Sequence, residues 1–227
     1  MLTTLVLVPT PLERGLLAPA LASALGAAAR LELCGFGPVA AAARTAELVA
    51  TLAPERVLLL GLAGRLDDRL AIGAAYRFGG VACHGVGIGS ADAFRPAGSF
   101  GWQQWPGEPA AEPPAGQAAA AAPIGDQLPC TAGESNGRSE GGLLLTACAA
   151  SATALDVRQR RSLFPEAMAE DMEGFGVALA CRLGGVPLGI VRGISNDAGD
   201  RDKSRWQIPA ALTAAAELAL RILAEES

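Results

Sequence analysis

Short runs of leucine and β-branched residues alternate with alanine-rich stretches from the first residues onward: "LTTLVLVP", "LERGLLAPALASALGAAA", "RLELCGFG", "PVAAAARTAELVATLA", "RVLLLGLAG". Apolar runs of this length suit strands buried on both faces, and the stretches between them have the length and propensity of crossover helices. The alternation therefore predicts an α/β fold with a mixed, mainly parallel sheet. It resumes with "GGLLLTACAA", the basic "LDVRQRRSLF", "EAMAEDM", a helix from about Glu173 to Leu183, and "VPLGIVRGIS". The helix "IPAALTAAAELALRILAEE" closes the chain.

With 227 residues, 51% of them hydrophobic, the chain can fill a sizeable core, and a single domain over 1–227 is expected. From about residue 94 to 142 the composition shifts to Pro, Gly and Ala, which reads as an irregular insertion. Its centre, Pro109 to Pro123, has the composition of a disordered loop. Its aromatic edge, "FGWQQW", is apolar enough to fold over a site as a lid.

Charged residues make up 18% and the formal net charge is -5, which leaves no basic footprint for nucleic acid. "MLTTLVLVPTPLERG" has no basic leader and reads as a first strand rather than a signal peptide. No apolar run approaches the ~20 residues of a membrane span, so a cytoplasmic protein without a membrane partner is expected. Cys34, Cys83, Cys130, Cys148 and Cys181 stand singly, without CxxC spacing, as reduced thiols would. His84 is the sole histidine, so a histidine dyad or a multi-histidine metal site is excluded.

Several segments carry polar groups at strand ends. In "TPLE", Thr10, Pro11 and Glu13 have the spacing of a capping box with Pro at the first helical position. Glu13 also falls at the C-terminal end of a first parallel strand, where open α/β sheets bind ligands. "LCGFGPVA" matches the GxGxxA spacing of a dinucleotide site, but it follows the second strand and no acid ends the third. A tight glycine turn beside a pocket is the better reading. Gly61, Ala63 and Gly64 in "GLAGRL" either make a plain turn or admit close approach by a ligand. His84 in "CHGVGIGS" reads as a surface or pocket-edge residue.

"AEDMEG" puts Glu170, Asp171 and Glu173 at the mouth of an apolar segment, with no cation before Arg182. Carboxylates are rarely buried without a partner, so these cap a helix or one of them waits for a ligand. "VRGISNDAGDRDKSRW" delivers Ser195, Asn196 and Asp197 at another strand end, where Asn, Asp and Gly also suit a turn.

Taken together, "AEDMEGFGVALACRLGGVPLGIVRGISND", with "TPLER", "GFGPVAAA" and "GLAGRL" in the same order, resembles the purine nucleoside phosphorylase and methylthioadenosine nucleosidase superfamily. The resemblance covers nearly the whole chain apart from the insertion. Within it, "ISN" followed by Gly199, Arg201, Asp202 and Trp206 resembles the branch that hydrolyses futalosine, releasing hypoxanthine in menaquinone biosynthesis.

The resemblance implies a three-layer α/β/α domain, a small-molecule nucleoside substrate, no metal or organic cofactor, and a homodimer or higher homo-oligomer. It makes Glu13 the carboxylate that activates water and Glu173 the group that binds the ribose 2′ and 3′ hydroxyls, with Met172 packed on the sugar. Gly64, Ser195 and Asp197 join them in substrate binding, and Asp171 is structural. Asn196 stands where adenine-cleaving relatives carry an acid. An amide can donate to O6 and accept from a protonated N7, which fits a 6-oxopurine.

Leu59 and Leu62 occupy positions where bacterial hexameric phosphorylases hold phosphate with Arg and Ser, which favours water as the nucleophile. A base-stacking Phe is missing after "LLLT", leaving Phe94 or Phe175 for that task. Arg95, Arg201 and Arg205 are the candidate cations for a carboxyphenyl tail. The alternatives are another purine nucleosidase or phosphorylase, acting on inosine, methylthioadenosine or S-adenosylhomocysteine, and an inactive nucleoside-binding protein.

Overall fold

A computed structural model describes residues 3–22, 25, 29–107, 122–130 and 141–225. In chain order the elements are β1 (Thr4–Val8), α1 (Pro11–Leu21), β2 (Ala29–Leu33), α2 (Pro38–Leu52), β3 (Arg56–Arg65), β4 (Ala75–Phe78), β5 (Gly80–His84), β6 (Gly87–Ile88) and β7 (Arg95–Pro96). There follow β8 (Gln127–Pro129), β9 (Leu143–Ala147), α3 (Ala154–Leu163), β10 (Ala167–Asp171), α4 (Gly174–Leu183), β11 (Leu188–Asp197) and α5 (Ile208–Glu225). Apart from the β6–β7 pair, the described strands join one sheet, ordered β2-β1-β3-β10-β9-β5-β8, with β11 on β3 and β4 on β11.

Pairing is parallel at β1–β2, β1–β3, β3–β11, β9–β10 and β5–β9, and antiparallel at β3–β10, β4–β11 and β5–β8. The expected mixed, mainly parallel sheet is therefore present. Side chains that alternate along its strands feed two cores. Leu5, Leu7, Leu59 and Ile190 face α2 and α4, whereas Val6, Val8, Leu58, Leu60 and Val191 face α1 and α5. Both faces are covered by helices, which is why these strands read as continuous apolar runs.

Small residues set the helix spacing. A Cβ at Gly176 would lie 2.2 Å from the Pro38 carbonyl oxygen, so α4 can press against the start of α2 only with glycine there. That contact explains the small-residue composition of "GFGVALAC".

The described parts of the 94–142 stretch pack against the sheet. Ile124 bridges Trp105 and is buried, and β8 pairs with β5. Most of the proline- and alanine-rich centre, residues 108–121, lies outside the described residues, as do residues 131–140. Among the described residues, no helix is long and apolar enough to cross a membrane.

Candidate active site

The sheet opens at one place. β11 lines one edge of β3 from Val57 to Arg65, while two strands share the other edge: β1 pairs with Arg56 to Leu59, and β10 with Gly64 and Arg65. Between them the β3 edge from Leu60 to Ala63 has no strand partner among the described residues, and there the ends of β1, β10 and β11 converge. Ligand crevices in α/β sheets form at such switch points. A cavity of roughly 510 Å³ occupies this one, and its walls include Pro9, Glu13, Leu62, Gly64, Met172, Glu173, Ser195 and Asn196.

Glu13 fills the gap in the ladder. Thr10 caps α1 by accepting from the Glu13 N–H, and its hydroxyl donates to Glu13 Oε2 at 2.6 Å. Oε1 accepts the otherwise unpaired N–H of Leu62 at 3.0 Å. The Thr10 cap thus holds a buried carboxylate at the cavity wall, although Glu13 accepts from the Thr10 hydroxyl where a full capping box would use the Thr10 backbone N–H.

Arg192, on β11, is the hub of the site. It is fully buried, and its Nη2 donates to Asp171 Oδ2 and, at 3.4 Å, to Glu173 Oε2. Burial works against its charge, but Asp171, Glu173 and Glu13 outweigh that and keep the guanidinium protonated. Its Nε and Nη1 have no hydrogen-bond partner among the described residues. A Cβ placed on Gly61 would meet Nη1 at 2.2 Å and Glu13 Oε1 at 2.8 Å, so the guanidinium and the carboxylate approach over a bare glycine.

The three acids of "AEDME" have three different surroundings. Asp171 accepts from Thr146 Oγ1 at 2.6 Å, from the Gly174 N–H at 2.8 Å and from Arg192, which ties β9, β10 and α4 together. Glu170 accepts from the Ser151 N–H and hydroxyl and from Arg160 on α3, fixing the loop after β9. All three line the cavity, but Glu173 has the fewest hydrogen-bond donors on its oxygens. Its Oε1 takes the Gly37 N–H at 3.0 Å from the glycine turn before α2. Burial pushes its carboxyl up to about 7; Arg192 opposes that shift, and Asp171 and Glu13 add to it.

A bulge in β11 shapes the opposite wall. Register slips between Ile194 and Asn196 against β3, which turns Ser195 and Asn196 toward the cavity. Asn196 is buried; its Oδ1 accepts from Ser195 Oγ at 2.7 Å and its Nδ2 donates to the Asp197 carbonyl at 2.6 Å. One N–H of the amide stays available. Asp197 does not share this position: its carboxylate pairs with Arg65, its side chain is 56% exposed, and it is not on the cavity wall. Asp197 is therefore not brought to the cavity with the other expected site residues.

Aromatic and cationic groups close the outer end. Phe36, Trp206, Arg201 and Lys203 line the wall. Phe94 instead stacks on His84 at 4.8 Å, and Phe175 is buried under α4 among core residues, so neither stands where a base would stack. Burial drives His84 down to about 4, and this neutral ring packs between Phe94 and Phe164. Trp102 stacks on Phe100, and Trp105 packs on the core; neither covers the cavity. Among the described residues, no group of three or more His, Cys, Asp or Glu could hold a metal ion.

Glu13, Gly64, Met172, Glu173, Ser195 and Asn196 are thus brought together from four separate segments. Sequence reasoning passed over Arg192 and the Arg160–Glu170 pair. Arg192 stands inside the β-branched run "GIVRGIS", where burying an arginine requires carboxylates beside it, and only the fold brings those carboxylates to it.

A sequence profile of the Phosphorylase superfamily matches residues 23–225. The chain is 32% identical to futalosine hydrolase of Streptomyces coelicolor over 79% of this chain and 72% of that protein. It is also 32% identical to 5′-methylthioadenosine/S-adenosylhomocysteine nucleosidase of Colwellia psychrerythraea, over 84% of this chain and 76% of that one. Its fold is similar to that of the Neisseria meningitidis 5′-methylthioadenosine/S-adenosylhomocysteine nucleosidase bound to methylthio-immucillin-A, with TM-score 0.72 at 19% identity over 99% of this chain and 100% of that chain. For the futalosine hydrolase of Helicobacter pylori the TM-score is 0.71 at 15% identity, over 100% of this chain and 98% of that chain.

Proposed function

From the premise that this chain belongs to the Phosphorylase superfamily, we propose that it is an N-glycosyl hydrolase that cleaves futalosine to hypoxanthine and dehypoxanthinyl futalosine. The observation that carries the reading is the cavity itself. Glu13, Glu173 and Asn196, here proposed to activate water, bind the ribose diol and read the base, line one cavity at the sheet's switch point.

Glu173 suits a ribose. Vicinal hydroxyls donate to the two oxygens of a carboxylate, and they would offset the burial that pushes this one toward neutrality. Met172 lines the same cavity, and a soft thioether suits packing against a sugar. Glu13 then orients a water for attack on C1′ and takes its proton, while the C1′–N9 pair leaves with the base. General-base help of this kind is worth about 10²- to 10⁴-fold. Arg192 Nη1 lies over the same glycine as Glu13 Oε1, behind the cavity wall, so its charge acts on Glu13 rather than on the water itself.

Asn196 favours hypoxanthine over adenine. Its free N–H can donate to O6, where a carboxylate would repel it, while Oδ1 is held by the Ser195 hydroxyl. An amide has no acidic proton to give, so the base departs as a hydrogen-bonded anion with charge spread onto O6 and is protonated by water. Relatives named for futalosine and for methylthioadenosine match this chain at the same identity, so the choice between these substrates rests on the amide.

Water is the nucleophile in this reading because Leu59 is buried and Leu62 presents an isobutyl group beside Glu13, neither of which can bind phosphate. The exposed apolar side chains Leu12 and Phe36 on the cavity wall, with Val39 exposed nearby in sequence, suit a homodimer or higher homo-oligomer.

The test is base release from futalosine, inosine and methylthioadenosine, without and with phosphate. Hypoxanthine from futalosine, indifferent to phosphate, bears the proposal out. Release from inosine only with phosphate, or of adenine from methylthioadenosine in preference, overturns the substrate and leaves the family intact.

A further inference from the structure

The loop between β11 and α5 has its acids satisfied and two of its cations free. Asp200 accepts from the Arg205 guanidinium at 2.7 Å and from the Asp202 N–H at 2.9 Å. Asp202 accepts from the Ser204 hydroxyl at 2.6 Å and N–H at 3.1 Å and lies 3.5 Å from Arg205 Nε. Arg201 and Lys203 have no carboxylate within ion-pair distance among the described residues, and both stand on the cavity wall while Arg205 does not. Arg201 lies 5.2 Å from the centroid of the Trp206 ring, and the indole is anchored by its N–H on the Asp200 carbonyl at 3.2 Å. Leu12 and Ile208 add apolar surface to the same wall.

We propose that Trp206, Arg201 and Lys203 form a subsite for a flat, anionic group, an aryl carboxylate, at the end of the nucleoside remote from its base, and that this subsite sets selectivity against nucleosides with neutral 5′ substituents. A fixed indole offers a stacking face. The Arg201 guanidinium covers one face of the ring, leaves the other for stacking, and can take a carboxylate at its edge bidentately. A neutral thioalkyl or hydroxyl group would use neither cation and would leave the wall charged and unmatched. The inference rests on the nucleosidase reading of the cavity and adds to it the groups that recognise the substrate's far end.

The decisive comparison uses the full chain and the double variant Arg201→Gln/Lys203→Gln. The ratio of kcat/KM for futalosine to that for inosine should fall about 10- to 100-fold, carried by KM, since charge-assisted hydrogen bonds at a partly exposed site are worth of the order of 1.5–3 kcal/mol. A ratio within about threefold of the parent overturns the subsite. Benzoate and benzamide serve as probes that do not depend on futalosine. Against whichever nucleoside is cleaved, benzoate should compete better than benzamide, and the double variant should erase the difference. If futalosine is not cleaved but benzoate competes in this way, the substrate proposal falls and the subsite stands. If benzoate and benzamide compete equally, the subsite falls.

Discussion

Glu13 Oε1 accepts the Leu62 N–H at 3.0 Å, at a stretch of β3 where β1 has ended and β10 has not begun. The side chain therefore completes the sheet and presents its other oxygen beside the cavity, braced by Thr10. Glu13→Gln keeps an acceptor for Leu62 but has no basicity. Base release should fall by about 10²- to 10⁴-fold with KM nearly unchanged. Steady-state kinetics on the cleaved nucleoside will check this, and near-parental turnover removes Glu13 as the base.

Gly61 is the point where the site tolerates no side chain. Gly61→Ala would set a methyl 2.2 Å from Arg192 Nη1 and 2.8 Å from Glu13 Oε1, between groups that are fully or almost fully buried. Overpacking of this kind costs about 1–3 kcal/mol, and here it displaces Glu13, proposed to hold water, together with the guanidinium beside it. A lowered melting temperature together with a loss of kcat of at least about 100-fold is expected. A variant that melts lower yet turns over normally would separate the two residues from the chemistry.

Much of this arrangement was legible in the chain. Alternating apolar runs gave the layers because parallel strands bury both faces, and Thr10-Pro11-Glu13 gave a helix start because capping is local. Three things were not legible. The bulge at Ser195 depends on register against β3, which decides that Asn196 enters the cavity and Asp197 turns out to Arg65. Phe94 and Phe175 were assigned by chemical type, but long-range packing puts them against His84 and inside α4. Arg192 was hidden because a single cation in an apolar run acquires meaning only once Asp171 and Glu173 are brought to it.

The Arg160–Glu170 pair is buried, and it shapes the Ala149–Ser151 loop whose Ala150 lines the cavity. Glu170→Ala leaves Arg160 without its carboxylate. The cost should be about 3–5 kcal/mol, the usual consequence of stranding one partner of a buried pair. Urea unfolding measures it directly. Restoration of most of the loss by the further change Arg160→Met would show that the stranded charge, rather than lost packing, is the cause.

Asn196→Asp exchanges a neutral amide for a carboxylate in a buried position beside Ser195. An ionised acid repels O6 but accepts from a 6-amino group, so selectivity should turn from 6-oxopurine toward 6-aminopurine nucleosides. Relative kcat/KM on inosine and adenosine gives the readout, with a change in ratio of at least about tenfold expected. An unchanged ratio would show that the base is read elsewhere.

Glu173 makes the empty protein sensitive to pH in a direction opposite to that of an ordinary salt-bridged acid. Its carboxyl is pushed from 4.5 up to about 7, chiefly by burial. Between those values the unfolded chain has released this proton while the folded chain keeps it, so stability falls as pH rises through the window and levels off above about 7. His84 acts the other way: held down to about 4 by burial, it weakens the fold as pH drops below 6.5. Because His84 is common to both proteins, the difference in melting temperature between the parent and Glu173→Gln isolates Glu173. The variant should gain relative to the parent between about pH 5 and pH 8. A bound diol donates its hydroxyl protons to the ionised form, so substrate affinity of the parent should rise as pH passes upward through about 7, with release of a proton on binding. Calorimetry in buffers of different ionisation enthalpy detects that proton. If none is released and the two melting profiles run parallel, Glu173 is already ionised in the empty cavity, and its burial is offset by Arg192 and Gly37 alone.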